Sequence, residues 1–325
     1  MNIEARWYEK RADGKVECGL CPHRCVISPG NGGICRIRKN IDGQFMQTAY
    51  AEVAGAGVDP IEKKPLYHFH PGSQILSVGT NGCNLTCPFC QNWNISTSET
   101  ERNETSADYL VKTAKRENSI GAAYTYNEPL VWYEFVYDCS VRFREAGLKN
   151  IIVSNGFINE EPMRELAPLI DAANIDLKGY TEDFYKGISG RLEDVKRTIR
   201  ILHSCGVHLE LTNLVIPGLN DDMATFTQMI DFIAGIDKRI PLHLSRYFPN
   251  HKSKEPATPT ETLQTMKDKA LKKLHYVYLG NVPGNQDTFC PSCSRILVNR
   301  SGYRTQSYIG ENICPHCSAE LYFSF

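Results

Sequence analysis

Gly82-Cys83-Asn84-Leu85-Thr86-Cys87-Pro88-Phe89-Cys90 is the stretch on which the reading of this chain turns. Three cysteines stand at C-x3-C-x2-C spacing, with a glycine before the first and an aromatic ring before the last. The run ahead of them, Gln74 to Gly79, has the composition of a buried strand, and Thr80-Asn81-Gly82 ends it. The three thiols therefore lie in a loop at a strand's exit. Cys thiolates are the usual ligands of a four-iron cubane. Three of them leave one iron without a protein ligand, which suits a cluster that must bind a small molecule. The competing reading is a zinc ion completed by a histidine.

The rest of the chain narrows the choice. Its 325 residues are 42% hydrophobic and 22% charged, with a net charge of −1. That fits one large domain with appendages, or two domains, and gives no dominant attraction to nucleic acid. Residues 1 to 14 are polar and charged, unlike a secretory signal. No run of about 18 apolar residues predicts a membrane helix. Of 13 cysteines, 11 fall in three clusters. Such clusters imply metal binding under reducing, cytoplasmic conditions rather than disulfides. Cys139 and Cys205 remain, in helix-like segments, and read as buried, inert thiols.

Cys18, Cys21, Cys25 and Cys35, with a Gly-rich turn between the last two, form a candidate site for zinc or a second iron–sulfur cluster. His23 reads as a neighbour of that site rather than a ligand. Gly55-Ala56-Gly57 reads as a turn. The segment Lys63 to Gly72, rich in aromatic residues and histidine, fits either a wall of the active site or packing. From residue 74 to about 280, strands alternate with amphipathic helices. The strands are Gln74–Gly79, Gly121–Thr125, Asn150–Ser154, Ala172–Leu177, His208–Ile216, Leu242–Tyr247 and Tyr276–Leu279. Helical spacing links Leu192, Val195, Ile199 and Leu202. It recurs through Met223, Phe226, Ile230 and Ile233, and through Leu263, Met266, Ala270 and Leu274. The fold class is α/β: a partial or complete TIM-like β/α barrel whose site collects at the carboxyl ends of the strands. We divide the chain into a Cys-rich extension (1–72), the barrel (73–282) and a zinc ribbon (283–325). The ribbon is read from Cys290-Pro-Ser-Cys293 and Cys314-Pro-His-Cys317. It would supply structural support or a docking face; Arg295, Arg300 and Arg304 are too few to decide for nucleic acid.

Cys83, Cys87 and Cys90 in their loop resemble the cluster motif of the radical S-adenosylmethionine (radical SAM) superfamily. The resemblance implies a radical SAM barrel in which a [4Fe-4S] cluster on these cysteines binds SAM at its open iron. Asn127-Glu128-Pro129 is similar to the end of the superfamily's G-G-E-P-type segment, so Asn127 and Glu128 would receive SAM's amine; Pro129 also suits a helix start. Asn92 matches a C-x-N pattern and would contact SAM. Asp176 and Lys178, two apart on one strand face, match a pair that holds SAM's carboxylate in pyruvate formate-lyase-activating enzymes. They are the candidate catalytic pair, and an ordinary ion pair is the other reading. Ser154 and Asn155 match the Thr-Asn of a Thr-Asn-Gly motif, but Val153 replaces the acidic residue before it, so a bound cation is in question. Ile216 would lie against adenine. Arg246 is a candidate contact to SAM or substrate, and Phe248 stands near where activating enzymes carry a histidine.

Cys18-Gly-Leu-Cys21-Pro-His-Arg-Cys25, Lys64-Pro-Leu-Tyr-His-Phe, Cys87-Pro-Phe-Cys-Gln-Asn and Thr125-Tyr-Asn-Glu-Pro together resemble the AmmeMemoRadiSam system radical SAM enzymes. That implies Memo-like and AMMECR1-like partners and a flavodoxin- or ferredoxin-type electron donor. The implied reaction is reductive cleavage of SAM to a 5′-deoxyadenosyl radical, which takes hydrogen from an unidentified substrate. One candidate substrate is a glycyl radical enzyme, although residues 91 to 138 lack the cysteine insert of ferredoxin-like activators. Another is a protein or RNA docked on the ribbon. A non-catalytic zinc protein that binds a partner or nucleic acid is the alternative from a different class.

Overall fold

The computed structural model describes residues 2–325. An eight-stranded sheet dominates it, with strands β1 (Gly55–Pro60), β2 (Gln74–Gly79), β3 (Gly121–Tyr124), β4 (Lys149–Ser154), β5 (Ala172–Asp176), β6 (His208–Val215), β7 (Leu242–Arg246) and β8 (Val277–Gly280). They lie side by side in chain order. From β2 to β8 every pairing is parallel, and β1 runs antiparallel along β2. The seven parallel strands are those expected, each within a residue or two. β1 corrects the reading of Gly55-Ala56-Gly57 as a turn. Its alternating glycines have no apolar period to detect, and pairing with β2 rather than local propensity makes it a strand.

Helices cover the outer face: α1 (Ala107–Arg116), α2 (Tyr133–Glu145), α3 (Glu160–Leu166), α4 (Leu192–Ser204), α5 (Met223–Asp237) and α6 (Thr260–Ala270). Their starts follow ordinary capping chemistry. Ser106 accepts the Tyr109 N–H at 3.1 Å before α1, and Asp222 accepts that of Thr225 at 2.7 Å before α5. The buried faces of α4, α5 and α6 carry most of the apolar residues that their spacing marked; Met223 is only partly buried, and Leu274 is buried just beyond the end of α6. Cys139 is buried in α2 as expected, but Cys205 is exposed. It caps the end of α4, where the helix has already left the core.

The segment between β1 and β2 turns inward and plugs the barrel at the amino ends of the strands. Ile61, Leu66 and Phe69 pack there with Ile75, Ala123, Ile151 and Ala172. The plug is also tied by polar bonds. Glu210 on β6 accepts the backbone N–H groups of Tyr67 at 3.0 Å and His68 at 2.7 Å, and bonds His243 at 2.7 Å. Burial opposes charge on Glu210, but the bonds from His208 and His243 outweigh it and hold the carboxyl well below its ordinary range. His68 is fully enclosed, and burial pulls it down to about 3. Lys64-Pro-Leu-Tyr-His-Phe is thus the barrel floor, not a wall of the active site.

The C-terminal ribbon docks under this floor. Its hairpin, Ile296–Ser301 with Arg304–Ser307, buries Arg300, whose guanidinium bonds the Tyr67 carbonyl and covers the Tyr67 ring. Phe323 stacks on His68 at 4.1 Å, and the Ser324 N–H donates to the His68 carbonyl at 2.9 Å. The N-terminal region forms two small antiparallel sheets against the other end and flank, anchored by the buried Arg38–Glu134 pair at 2.8 Å.

Candidate functional site

At the carboxyl ends of the strands the barrel opens into a cavity of about 220 Å³. Cys83, Cys87 and Cys90 line it, as do Asn92, Asn127, Glu128, Asn155, Asp176 and Lys178. Six residues chosen from separate strand ends thus share one chamber with the three thiols. The loop that carries the thiols follows β2 through a pair of obligate glycines. A Cβ on Gly79 would sit 2.4 Å from the Thr125 carbonyl oxygen. Gly82 has φ +93°, and its Cβ would lie 2.3 Å from the Cys35 carbonyl oxygen. Only glycine permits both the turn and the close approach.

Around the thiols the polar groups are held in fixed directions. Glu128 is buried after β3, where its carboxylate accepts the Ser154 hydroxyl at 2.7 Å and the N–H groups of Asn155 at 2.7 Å and Leu130 at 2.9 Å. The last of these begins the short helix Pro129–Trp132, so the helix-start reading of Pro129 holds as well. Burial pushes the Glu128 carboxyl up to about 7 despite these bonds. A cation beside it would restore the ionised form. Asn127 donates to the Gly82 carbonyl at 2.6 Å, while its buried Oδ1 has no hydrogen-bond partner among the described residues. Asn155 spans Asn84 Oδ1 at 2.9 Å and the Cys83 sulfur at 3.7 Å. Asn92 donates to the Tyr126 carbonyl at 2.6 Å.

Asp176 and Lys178 form an ion pair at 2.7 Å beside Cys87. Burial disfavours the ammonium charge, but Asp176 outweighs it, and Lys178 titrates above its usual value. Asn220 fixes this turn by donating to the Lys178 carbonyl at 2.6 Å.

Three candidates lie outside the lining. Ser154 stands behind Glu128 and orients it. Ile216 is fully buried just past the end of β6, its N–H held by Asn220 Oδ1 at 2.6 Å. Arg246 faces away, donating to the Thr258 carbonyl at 2.8 Å beneath the exposed Phe248 ring. Residues not singled out in the sequence take their places: Thr212 and Leu214 on β6, Ser245 on β7, and Asn281. A period of two would have found Ser245, because His243 on the same face reaches Glu210 inside the barrel.

The donor set fits an iron–sulfur cluster with SAM. The three sulfurs face a chamber, and an orphaned amide oxygen and a proton-hungry carboxylate await an ammonium. A single ion suits them less well. Among the described residues, Cys290, Cys293, Cys314 and Cys317 are the one set with three or more ligand atoms all within 4.8 Å of one another. Two of their sulfur pairs lie at 3.7 and 3.8 Å.

Residues 77–232 match the Radical SAM superfamily. An uncharacterized protein of Methanocaldococcus jannaschii is 42% identical over 306 residues, which cover 91% of each chain. Among solved structures, SuiB of Streptococcus suis bound to S-adenosylmethionine superposes with a TM-score of 0.52 at 12% identity, covering 64% of this chain and 52% of SuiB. This chain thus spans about half the length of SuiB. A radical SAM methyltransferase of Sphaerobacter thermophilus gives 0.52 at 16% identity, covering 65% and 67%. At these identities the likeness is one of fold. Among the described residues, no helix is long and apolar enough to cross a membrane.

Proposed function

Because this chain belongs to the radical SAM superfamily and is an enzyme, we propose that Cys83, Cys87 and Cys90 hold its [4Fe-4S] cluster and that the chamber above them binds SAM. The observation that carries this reading is the convergence of three thiols, Asn127, Glu128, Asp176 and Lys178 on one cavity. When bound and reduced, the cluster supplies the electron that splits SAM into methionine and a 5′-deoxyadenosyl radical, which takes hydrogen from the substrate.

The chain's own residues do the positioning. The Asn127 Oδ1 and the Glu128 carboxylate receive the methionyl ammonium. Lys178, held by Asp176, pairs with the methionyl carboxylate. Thr212, Leu214 and Ser245 form the wall left for the nucleoside. Leu85 and Phe89 exclude water beside the cluster, and holding the reactants together replaces a bimolecular encounter.

The ribbon's tetrathiolate suits zinc, since sulfurs ~2.3 Å from a tetrahedral ion lie ~3.8 Å apart. Its place under the floor favours structural support over presenting a substrate to the opposite face. Arg300 is buried there and offers nothing to nucleic acid. Assignment to the AmmeMemoRadiSam system, its Memo-like and AMMECR1-like partners and a flavodoxin- or ferredoxin-type donor complete the proposal. Superfamily membership sets aside the non-catalytic zinc protein.

Anaerobic protein loaded with iron and sulfide, given dithionite and SAM, should release 5′-deoxyadenosine and methionine in equal amounts. Cys87→Ala should abolish both. Equal release from Cys87→Ala, or none from fully loaded protein, would overturn the assignment.

A further inference from the structure

We propose that Cys18, Cys21, Cys25 and Cys35 hold a second iron–sulfur cluster of cubane size, seated against the loop of the first, and not a zinc ion. The four cysteines come from separate pieces of local structure. Cys18 ends the strand Val16–Cys18, Cys21 lies in the following turn, Cys25 precedes the strand Val26–Ile27, and Cys35 follows the Gly32-Gly33 turn. All four line one small apolar pocket, walled by Leu20, Ile27, Phe45 and Val131.

Size separates the two metals. Four thiolates on one zinc must lie ~3.8 Å apart, as the ribbon sulfurs do. No three of the N-terminal sulfurs come within 4.8 Å of one another, and neither do those of Cys83, Cys87 and Cys90. Like the cluster set, and unlike the ribbon, the N-terminal set therefore lacks the contact spacing of a single-ion site. Four thiolates are also the full complement of a cubane, so no iron would be left for a small molecule.

Charge gives an independent sign. Arg38 is 99% buried by its 1% relative exposure and lines the same pocket. Glu134 and the Arg6 carbonyl satisfy its two terminal nitrogens at 2.8 and 2.6 Å, yet its Nε–H finds no oxygen acceptor among the described residues. A donor left over beside Cys18 and Cys35 suits sulfur of a net-negative cluster, where hydrogen bonds to sulfur set the potential.

The site touches the SAM end of the barrel. The Cys35 carbonyl lies against Gly82, the residue before Cys83, and His23 Nε2 bonds the Asn84 carbonyl at 2.7 Å. Asn84 in turn holds Asn155, which reaches the Cys83 sulfur.

The test is a full-length triple variant, Cys83→Ala, Cys87→Ala and Cys90→Ala, reconstituted anaerobically with iron and sulfide. It should retain about four irons and four sulfides per chain and one zinc. After dithionite it should show a reduced-cluster EPR signal that SAM does not change. A colourless variant with two zincs per chain would overturn the proposal. A second variant, Cys21→Ser with Cys35→Ser, should keep the SAM-sensitive signal and lose the other; should it fail to fold, the triple variant decides alone. In reduced wild-type protein the two signals should broaden each other, and two unbroadened signals would refute the contact. The inference is separable from the proposed function: metal content of the triple variant decides this site, whereas SAM cleavage by wild-type protein decides the other.

Discussion

Gly82→Ala tests the join between the N-terminal region and the cluster loop. Two penalties arise at this residue. A non-glycine residue at φ +93° is strained by roughly 1–2 kcal/mol. The added Cβ would also stand 2.3 Å from the Cys35 carbonyl oxygen and 3.3 Å from Ile37. The first contact is with backbone, so the two loops must part, and overpacking of this kind costs about 1–3 kcal/mol. The sum is about 2–5 kcal/mol. Gly43→Ala supplies the reference, because Gly43 has φ +82° but nothing within 4 Å of its Cβ position. It should lose only the backbone part. Urea denaturation of the two variants at equal metal loading should separate them by about 1–3 kcal/mol. Equal stability would show that the close packing of Cys35 on Gly82 is not a feature of the protein in solution.

Three further outcomes follow from the geometry. Lys178→Met removes one partner of a partly buried ion pair and should weaken SAM binding by about 2 kcal/mol, roughly 30-fold, with iron content unchanged; calorimetry showing wild-type affinity would dismiss its role. His68 is depressed to about 3 in the folded protein, against about 6.5 when unfolded. Its stabilising effect is complete above pH 6.5 and is lost as pH falls toward 3, because the unfolded chain takes up the proton first. Between pH 6.5 and 5 this should cost about 2 kcal/mol, with Glu210 acting in the same direction, and a flat melting temperature over that range would contradict it. Cys293→Ala with Cys317→Ala should remove one zinc, leave iron intact and, by releasing Phe323 from His68, destabilise the barrel by about 3–5 kcal/mol. An unaltered barrel melt would show that the ribbon does not seal the floor.

The parallel strands were legible because buried strands in a β/α barrel are continuous apolar runs between amphipathic helices. The thiol loop was legible from spacing, and Asn127, Glu128, Asp176 and Lys178 from their places at strand exits. Other features depend on tertiary packing that no local pattern carries. β1 has glycine at positions 55 and 57, so its alternation is invisible, and it exists through pairing with β2. Arg246 and Ser245 adjoin in sequence but face opposite sides, so choosing the more reactive residue selected the wrong face. The direction taken by the Lys64 to Gly72 segment could not be read, because its histidines and aromatics suit a floor as well as a wall. Only Glu210, many residues downstream, distinguishes the two.

The seal between ribbon and floor sets an order on biosynthesis. His68 meets the Tyr322 carbonyl across 254 residues of sequence. A ribosome extends the chain from its amino end, and domains generally condense in that order. The barrel's underside must therefore wait, open to solvent, until the ribbon has been translated and has closed on the metal proposed for it. The thiol loops of residues 18–90 emerge long before. Nascent chains starved of zinc should thus accumulate with their upper chamber formed and their base still exposed to chaperones and proteases.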